Sequence, residues 1–253
     1  MSFEAFRVDD PVEACRWWAD RGGPELTQAL PPRERQELFS ATWGRITEAV
    51  EANPRPWWAA LQTVIPLLTP LGSDLVSDLL ALVLSCAPET EEEARLLAAS
   101  SPLALSSLYH AYVEPMDSLE LSEAKALQRL PQQAAIKAFV RKNASEEADK
   151  GADMWTVGLL RNVTKVDAEW AWQFLRSLVD ATSEDDLGTV GAGELEHFCK
   201  VASMGFIERI EAAAQEDAKF RAALRSVWPG GTAIPASVYQ RIHAAAGLLQ
   251  QPD

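Results

Sequence analysis

The sequence predicts an all-α protein. Apolar residues recur at helical spacing along nearly all of the 253 residues, and capping residues, prolines and glycines separate the helical stretches. No run of about four to eight β-branched residues alternates with polar ones, as a strand would require. Short loops predict that consecutive helices lie antiparallel. The predicted architecture is a multi-helix layered bundle or an irregular HEAT-like helical stack; no recurring sequence fingerprint separates the two.

Six helices are predicted in the first part of the chain. The second carries an apolar stripe of Phe39, Trp43, Ile46 and Val50, spaced four, three and four residues apart, and ends before Asn53. A capping box is predicted at the start of the fifth helix, where an acidic residue stands three positions after a threonine. The six predicted starting residues are Asp10, Pro31, Pro56, Ser73, Thr90 and Ser101.

The remaining helices are predicted from the same signals. Asp167 and Asp217 each precede a helical stretch as N-caps. The polar segment from Asn143 to Gly151 divides the chain into an N-terminal helical region, 1–150, and a C-terminal helical region, 151–253, which we expect to pack as one continuous unit. The predicted helices span about 118–130, 131–148, 154–163, 168–181, 193–202, 205–215, 218–228 and 236–249, with a shorter turn over 184–190.

Charge and composition exclude several functional classes. The chain has 23 Lys and Arg against 37 Asp and Glu, a net charge of −14, and both predicted regions are acidic. This balance argues against nucleic acid as a partner, which requires clustered basic residues. The acidic N-terminus does not resemble a signal peptide and no apolar stretch is long enough for a membrane span, so we expect a cytoplasmic protein that does not bind membranes. Its three cysteines are too widely spaced for a disulfide framework or a CxxC metal site.

One segment resembles a known family. The stretch from Asp186 to Trp228 contains a GxLE turn followed by a helix, then an Ile-x-x-Ile-Glu segment, Phe-Arg-x-x-Leu and a Val-Trp ending. These elements are Gly193-Glu194-Leu195-Glu196, Ile207 to Glu211, Phe220 to Leu224 and Val227-Trp228, with Trp170, Trp172 and Phe174 upstream. They resemble an uncharacterised bacterial family over about residues 165–245, although that family usually has proline where Glu194 stands. The resemblance implies a helical domain and a bacterial origin, and supplies no activity.

The polar residues of this segment form one candidate site. Glu194 and His197 have the i, i+3 spacing of metal ligands on one helix face, but the second such pair that a di-metal centre needs is missing. Glycines at 188, 191 and 193 resemble a phosphate loop without its preceding strand or its lysine, and are better explained by close helix packing. Carboxylate–guanidinium pairs between helices are expected for Glu196 with Arg209, or Glu211 with Arg221. The sequence therefore predicts no metal and no cofactor.

Adjacent tryptophans form the second candidate site. Trp17 and Trp18 are neighbours, as are Trp57 and Trp58, and neighbouring side chains on a helix point about 100° apart. Both members of a pair are buried in the middle helices of a layered stack, or one is exposed and contacts a partner. We therefore take these four tryptophans as candidate partner-binding residues.

The sequence favours a non-catalytic bacterial protein-interaction protein. No catalytic set of residues is recognisable, and an acidic, Trp-bearing helical surface suits a basic protein partner, as in an immunity or antitoxin-type protein. The alternative is an enzyme or small-ligand binder whose site lies around Gly193 to His197 and includes Arg209 and Arg221, with Glu194 and Glu196 among the polar groups. The two hypotheses differ in whether these polar residues converge on a pocket. No feature of the sequence indicates an oligomeric state.

Overall fold

The described part of the protein is entirely helical, which confirms the all-α prediction. The computed structural model describes residues 10–15, 31–65, 73–113, 118–144, 153–228 and 234–248, and no strand occurs within these ranges. The chain divides into two compact units, Met1–Glu114 and Pro115–Asp253. The boundary between the two units lies after Glu114, whereas the sequence-based division of the chain lies after residue 150.

The first unit is built around a central helix. Its longer helices in the described residues are α1 (Pro32–Ala52), α2 (Pro54–Val64), α3 (Ser73–Cys86), α4 (Glu91–Ser100) and α5 (Pro102–Tyr112). Helix α3 packs against α1, α2 and α5, and α5 also packs against α4. Every residue from Leu103 to Tyr109 is buried, because α5 has neighbours on more than one side.

The second unit contains eight helices in its described residues. They are α6 (Leu119–Arg129), α7 (Gln132–Ala144), α8 (Leu159–Val166), α9 (Ala168–Ala181), α10 (Leu187–Val190), α11 (Glu196–Glu216), α12 (Ala218–Leu224) and α13 (Ala236–Ala245). Helix α6 packs on α8 and α7 packs on α9, so the two helices that precede residue 150 belong to this unit. Contact between a helix and the second helix after it recurs within both units, a pattern typical of stacked helix pairs.

Helix α9 lies between two layers of aromatic side chains. On one side Trp170 stacks on Phe174 with ring centroids 5.0 Å apart, and Phe174 contacts Phe139 of α7 at 5.5 Å. On the other side Trp172 contacts Phe198 of α11 at 5.5 Å. Tryptophans two positions apart point about 200° apart on a helix, and a helix packed on both sides accommodates both. Trp172 is accordingly buried and Trp170 half-buried.

The predicted N-caps are confirmed where their side chains bind free backbone N–H groups. Asp10 accepts from the N–H groups of residues 12 and 13, Ser101 from that of residue 104, Asp167 from that of residue 170, and Asp217 from those of residues 219 and 220. The prediction of a capping box at Thr90 is wrong. The Thr90 hydroxyl donates to the Ala87 carbonyl at 2.8 Å, and the Glu93 carboxylate instead accepts from the indole N–H of Trp58.

The prediction of two separate helices in the region of α11 is also wrong. The sequence predicts two helices over 193–202 and 205–215, with a break before Gly205, whereas the structure has a single helix over Glu196–Glu216. Glycine weakens a helix but does not end one when the flanking turns are held by packing. Here Ser203 and Ile207, on either side of Gly205, are buried and hold the helix against its neighbours. The continuity of α11 determines which polar residues can meet.

Candidate interaction surface around Glu196 and Trp228

The site begins at a π-helical turn, Gly191–Leu195, which joins α10 to α11. A β-carbon at Gly191 would lie 2.1 Å from the carbonyl oxygen of Ala223 and 2.9 Å from the β-carbon of Ser226. Only glycine allows the backbone of α12 to approach this closely. This agrees with the packing explanation of the glycine-rich segment and brings the end of α12 against the beginning of α11. Turns of this kind are frequent at functional sites.

Glu196 connects these two segments. One carboxylate oxygen accepts a hydrogen bond from the Lys200 ammonium group one turn further along α11. The other accepts from the backbone N–H of Trp228 at 3.0 Å. The Glu196 side chain is 16% exposed, and its negative charge makes both contacts charge-assisted hydrogen bonds, which are stronger than neutral ones.

Trp228 exposes its ring on a fixed backbone. The side chain is 70% exposed, whereas the preceding residue, Val227, is 2% exposed and anchors the chain in the core. The main chain of Trp228 is therefore held on one side by Val227 and on the other by Glu196. An indole so positioned loses little further backbone freedom when a partner covers it.

Tyr239 of α13 also faces this region. Burial, and after it the negative charge of Glu196, raises the pKa of its phenol. Its ring contacts His243 one turn later, with centroids 4.1 Å apart. The start of α11 and the residues that follow α12 thus meet at Glu196, and α13 packs on both helices. We call Trp228, Glu196, Lys200 and Tyr239 the Trp228 surface.

His197 packs towards α8. It points away from Glu196, the hydrogen-bond acceptor of the Trp228 surface. Its Nε2 atom is buried without a hydrogen-bond partner among the described residues. Burial lowers the pKa of the imidazole, and the positive charges of Arg161, Lys165 and Lys200 lower it further, against an opposing hydrogen bond with the Arg161 backbone. His197 is thus favoured in its neutral form within the helix packing. Glu194 is half-buried in the π-helical turn.

The structure does not bring the predicted polar site together. Glu196 and Arg209 are 13 positions apart on α11, which corresponds to about 20 Å along a continuous helix. Arg221 donates to the carbonyl of Ala214 at 3.2 Å, and Ala214 lies 18 positions, or about 27 Å, beyond Glu196. Both arginines therefore lie towards the opposite end of α11 from Glu194, Glu196 and His197. The expected convergence depended on a break in the helix at Gly205 that the structure does not contain.

Arg209 and Glu211 form carboxylate–guanidinium pairs, but with partners other than those predicted. Arg209 binds Glu169 of α9 through both terminal nitrogens, at 2.5 and 3.1 Å, and Glu211 binds Arg241 of α13 in the same bidentate manner at 2.6 and 2.7 Å. These hydrogen bonds lower the pKa of both carboxyl groups. Arg209 also lies over the ring of Trp172 at 5.3 Å. These ion pairs connect neighbouring helices, which is the role expected for such pairs from the sequence.

The adjacent tryptophans that the structure describes are buried, although the sequence made them candidate partner-binding residues. Trp57 and Trp58 are each 2% exposed, and the Trp58 indole N–H binds Glu93, so neither ring is available to a partner. Both fit in the core because α2 packs on α1 and on α3. Trp17 and Trp18 lie outside the described residues. Among the tryptophans that the structure describes, the exposed one is Trp228, which appears in the sequence only as the end of the family resemblance. Its position just before Pro229-Gly230-Gly231, beyond the last helical turn, was the available signal.

Groups suited to metal or thiol chemistry are not assembled. No three His, Cys, Asp or Glu side chains in the described ranges lie together as possible metal ligands. Burial raises the pKa of the Cys15 and Cys199 thiols to about 12, which disfavours the reactive thiolate. None of the described helices has the length and apolar character needed to cross a membrane.

Fold and site together define an all-α protein with an exposed, backbone-anchored tryptophan beside a half-buried carboxylate. Residues 143–248 match a family of unknown function, DUF6869, which confirms the predicted resemblance to an uncharacterised family. The match begins at the end of α7 and includes the π-helical turn and the Trp228 surface. It excludes α6 and most of α7, which nevertheless belong to the same compact unit. No curated protein and no solved structure matches the chain.

Proposed function

We propose that the chain is a non-catalytic, cytoplasmic bacterial protein-interaction protein that binds a basic partner through the Trp228 surface. The observation that carries the proposal is the 70% exposure of Trp228 on a backbone fixed by Glu196 and Val227. Tryptophan is the residue type most enriched at interface hot spots, and a rigid aromatic side chain binds with a low entropic cost.

Charge supports the choice of partner. The net charge of −14 repels acidic proteins and nucleic acid and accelerates association with basic proteins. A contact with Trp228 would then slow dissociation, since affinity differences among related interfaces arise mainly from dissociation rates. A small-molecule site is not favoured, because Arg209 and Arg221 lie far along α11 from Glu196.

The test is affinity capture with the tagged full-length chain from the source organism, compared with Trp228→Ala. Leu96→Ala is the matched control, because Leu96 is a comparably exposed apolar side chain (65%) in the first unit. We expect a basic protein that is retained by the wild type and by Leu96→Ala, and lost with Trp228→Ala. Recovery of the chain alone, or equal retention by all three proteins, would contradict the proposal.

An immunity or antitoxin-type role is the narrower form of this proposal. Its support is the acidic charge, which suits a protein that covers a basic toxin site. The test is growth of cells that express the captured partner. The narrower form requires that the partner arrest growth, that the wild-type chain restore it and that Trp228→Ala fail to do so. A harmless partner would leave the interaction proposal intact and exclude the immunity role.

A further inference from the structure

Helix α11 has an exposed face that its own fold does not use. The face contains Val201, Met204, Gly205 and Glu208, at the i, i+3, i+4 and i+7 positions that lie along one side of a helix. Val201 is 45% exposed and Met204 is 71% exposed. We call these four residues the α11 outer face; they are distinct from the Trp228 surface.

No contact among the described residues requires glycine at position 205. It lies in the interior of a continuous helix, where glycine is less favourable than alanine. A β-carbon there would meet no described heavy atom within 4 Å, unlike the one at Gly191. No positive φ is involved, since the described glycines with positive φ are Gly158 and Gly247. The missing side chain therefore leaves room on the outside of the helix, between two exposed apolar side chains.

The α11 outer face has the features of a helix-docking site. Small residues allow the close approach of a second backbone, and flanking apolar side chains supply the area that a second helix buries. Exposed apolar side chains grouped on one face, instead of scattered singly, are typical of interaction sites.

Charge identifies the kind of helix that fits. Glu208 is exposed at one end of the face, and although it interacts electrostatically with Arg241, that arginine is already bound bidentately to Glu211. A second copy of this chain would bring a further net charge of −14 to the same place. A basic helix instead places Lys or Arg beside Glu208 while its apolar stripe covers Met204.

We infer that the α11 outer face binds an amphipathic, basic α-helix of another protein, whose backbone approaches at Gly205. This goes beyond the proposed role of Trp228, because it concerns a different set of residues. The contacting segment of α11, from Val201 to Glu208, spans about 10 Å, or two helical turns.

The probe is a synthetic amphipathic peptide of about 18 residues, long enough for five helical turns, with Leu and Ala on one face and Lys elsewhere. A second peptide replaces each Lys with Glu. Both are titrated into the full-length chain, and binding is followed by backbone amide chemical shifts. The test variant is Gly205→Gln, which places a neutral side chain in the open space. Its matched control is Gly44→Gln, because Gly44 is also an exposed glycine inside a helix with no described atom near its β-carbon.

We expect the Lys peptide to shift resonances of α11 and the Glu peptide not to bind. Gly205→Gln should weaken binding by about tenfold or more, and Gly44→Gln should leave it unchanged. Both substitutions improve helix propensity, so lost binding cannot reflect unfolding.

Absence of binding by the Lys peptide, or equal effects of the two glutamines, would overturn the inference. Binding that is lost in Trp228→Ala and kept in Gly205→Gln would assign the basic partner to the Trp228 surface alone. Self-association of the chain that Gly205→Gln abolishes would make a second copy the occupant, and would also overturn it.

Discussion

The Glu196 carboxylate accepts a hydrogen bond from the backbone N–H of Trp228, 32 positions later in the chain, at 3.0 Å. The contact joins the first turn of α11 to the residues that follow α12, and the close packing at Gly191 makes it possible. The residue that carries an exposed indole is thereby held through its backbone by a half-buried carboxylate.

Replacement of Glu196 by Ala should lower the free energy of unfolding by about 2 kcal/mol. The substitution removes two charge-assisted hydrogen bonds, to Lys200 and to the Trp228 backbone, from a side chain that is 16% exposed. Denaturant unfolding followed by far-UV circular dichroism measures the change. Glu208→Ala is the control, because it removes an exposed carboxylate from the same helix, and it should alter stability by less than about 0.5 kcal/mol. Equal effects of the two substitutions would show that the Glu196 contact does not stabilise the fold.

Substitution of Gly191 and Gly193 by Ala should have opposite effects. At Gly191 a methyl group would clash with the Ala223 carbonyl oxygen at 2.1 Å, so the loss should be about 1–3 kcal/mol or more. At Gly193, in the same turn, no described atom lies within 4 Å, so alanine should be neutral or stabilise by up to about 1 kcal/mol. Thermal unfolding of the two variants checks the prediction. A stable Gly191→Ala protein would mean that α12 is packed less closely than described.

Stability should fall as the pH falls below about 6.5, in part because of His197. Burial and three neighbouring cations lower the pKa of its imidazole below the usual 6.5, so the unfolded chain binds the proton more readily than the folded one. The stabilising effect of neutral His197 is complete above pH 6.5, and decreases as the pH falls towards the lower folded pKa. Unfolding midpoints between pH 8 and pH 5, compared for wild type and His197→Gln, isolate this contribution. Identical slopes would contradict it.

Two tryptophans of the second unit should differ sharply in their contribution to stability. Trp172 is buried against Phe198, Phe206 and Phe220, and Trp172→Ala should cost about 3–5 kcal/mol. Trp228→Ala should change the unfolding free energy by less than about 0.5 kcal/mol, because the ring is 70% exposed. Urea unfolding at fixed protein concentration measures both. A large loss for Trp228→Ala would indicate that the indole serves the fold and would weaken its role as a partner contact.

Local sequence signals determined the helical class and most helix starts. Asp167 and Asp217 cap helices because a carboxylate two or three residues from free N–H groups needs no distant partner. The same local reasoning failed at Glu93, whose carboxylate lies within reach of Thr90 in sequence but binds Trp58 in the fold. A buried indole N–H from another helix competes for that carboxylate, and only the packing of α2 near α4 supplies it.

Tertiary structure decided which candidate residues form a site. The sequence alone placed Glu196, His197, Arg209 and Trp228 in one family-like segment, and predicted that segment to be helical. Continuity of α11 through Gly205, maintained by buried residues on either side, then separated Arg209 from Glu196 by about 20 Å. Close packing at Gly191 brought Trp228 to Glu196 instead. Helix formation depends on neighbours within about four residues along the chain, whereas side-chain exposure depends on elements distant in sequence. The sequence after Trp228 therefore indicates the end of a helix, but only the fold establishes that its ring is exposed.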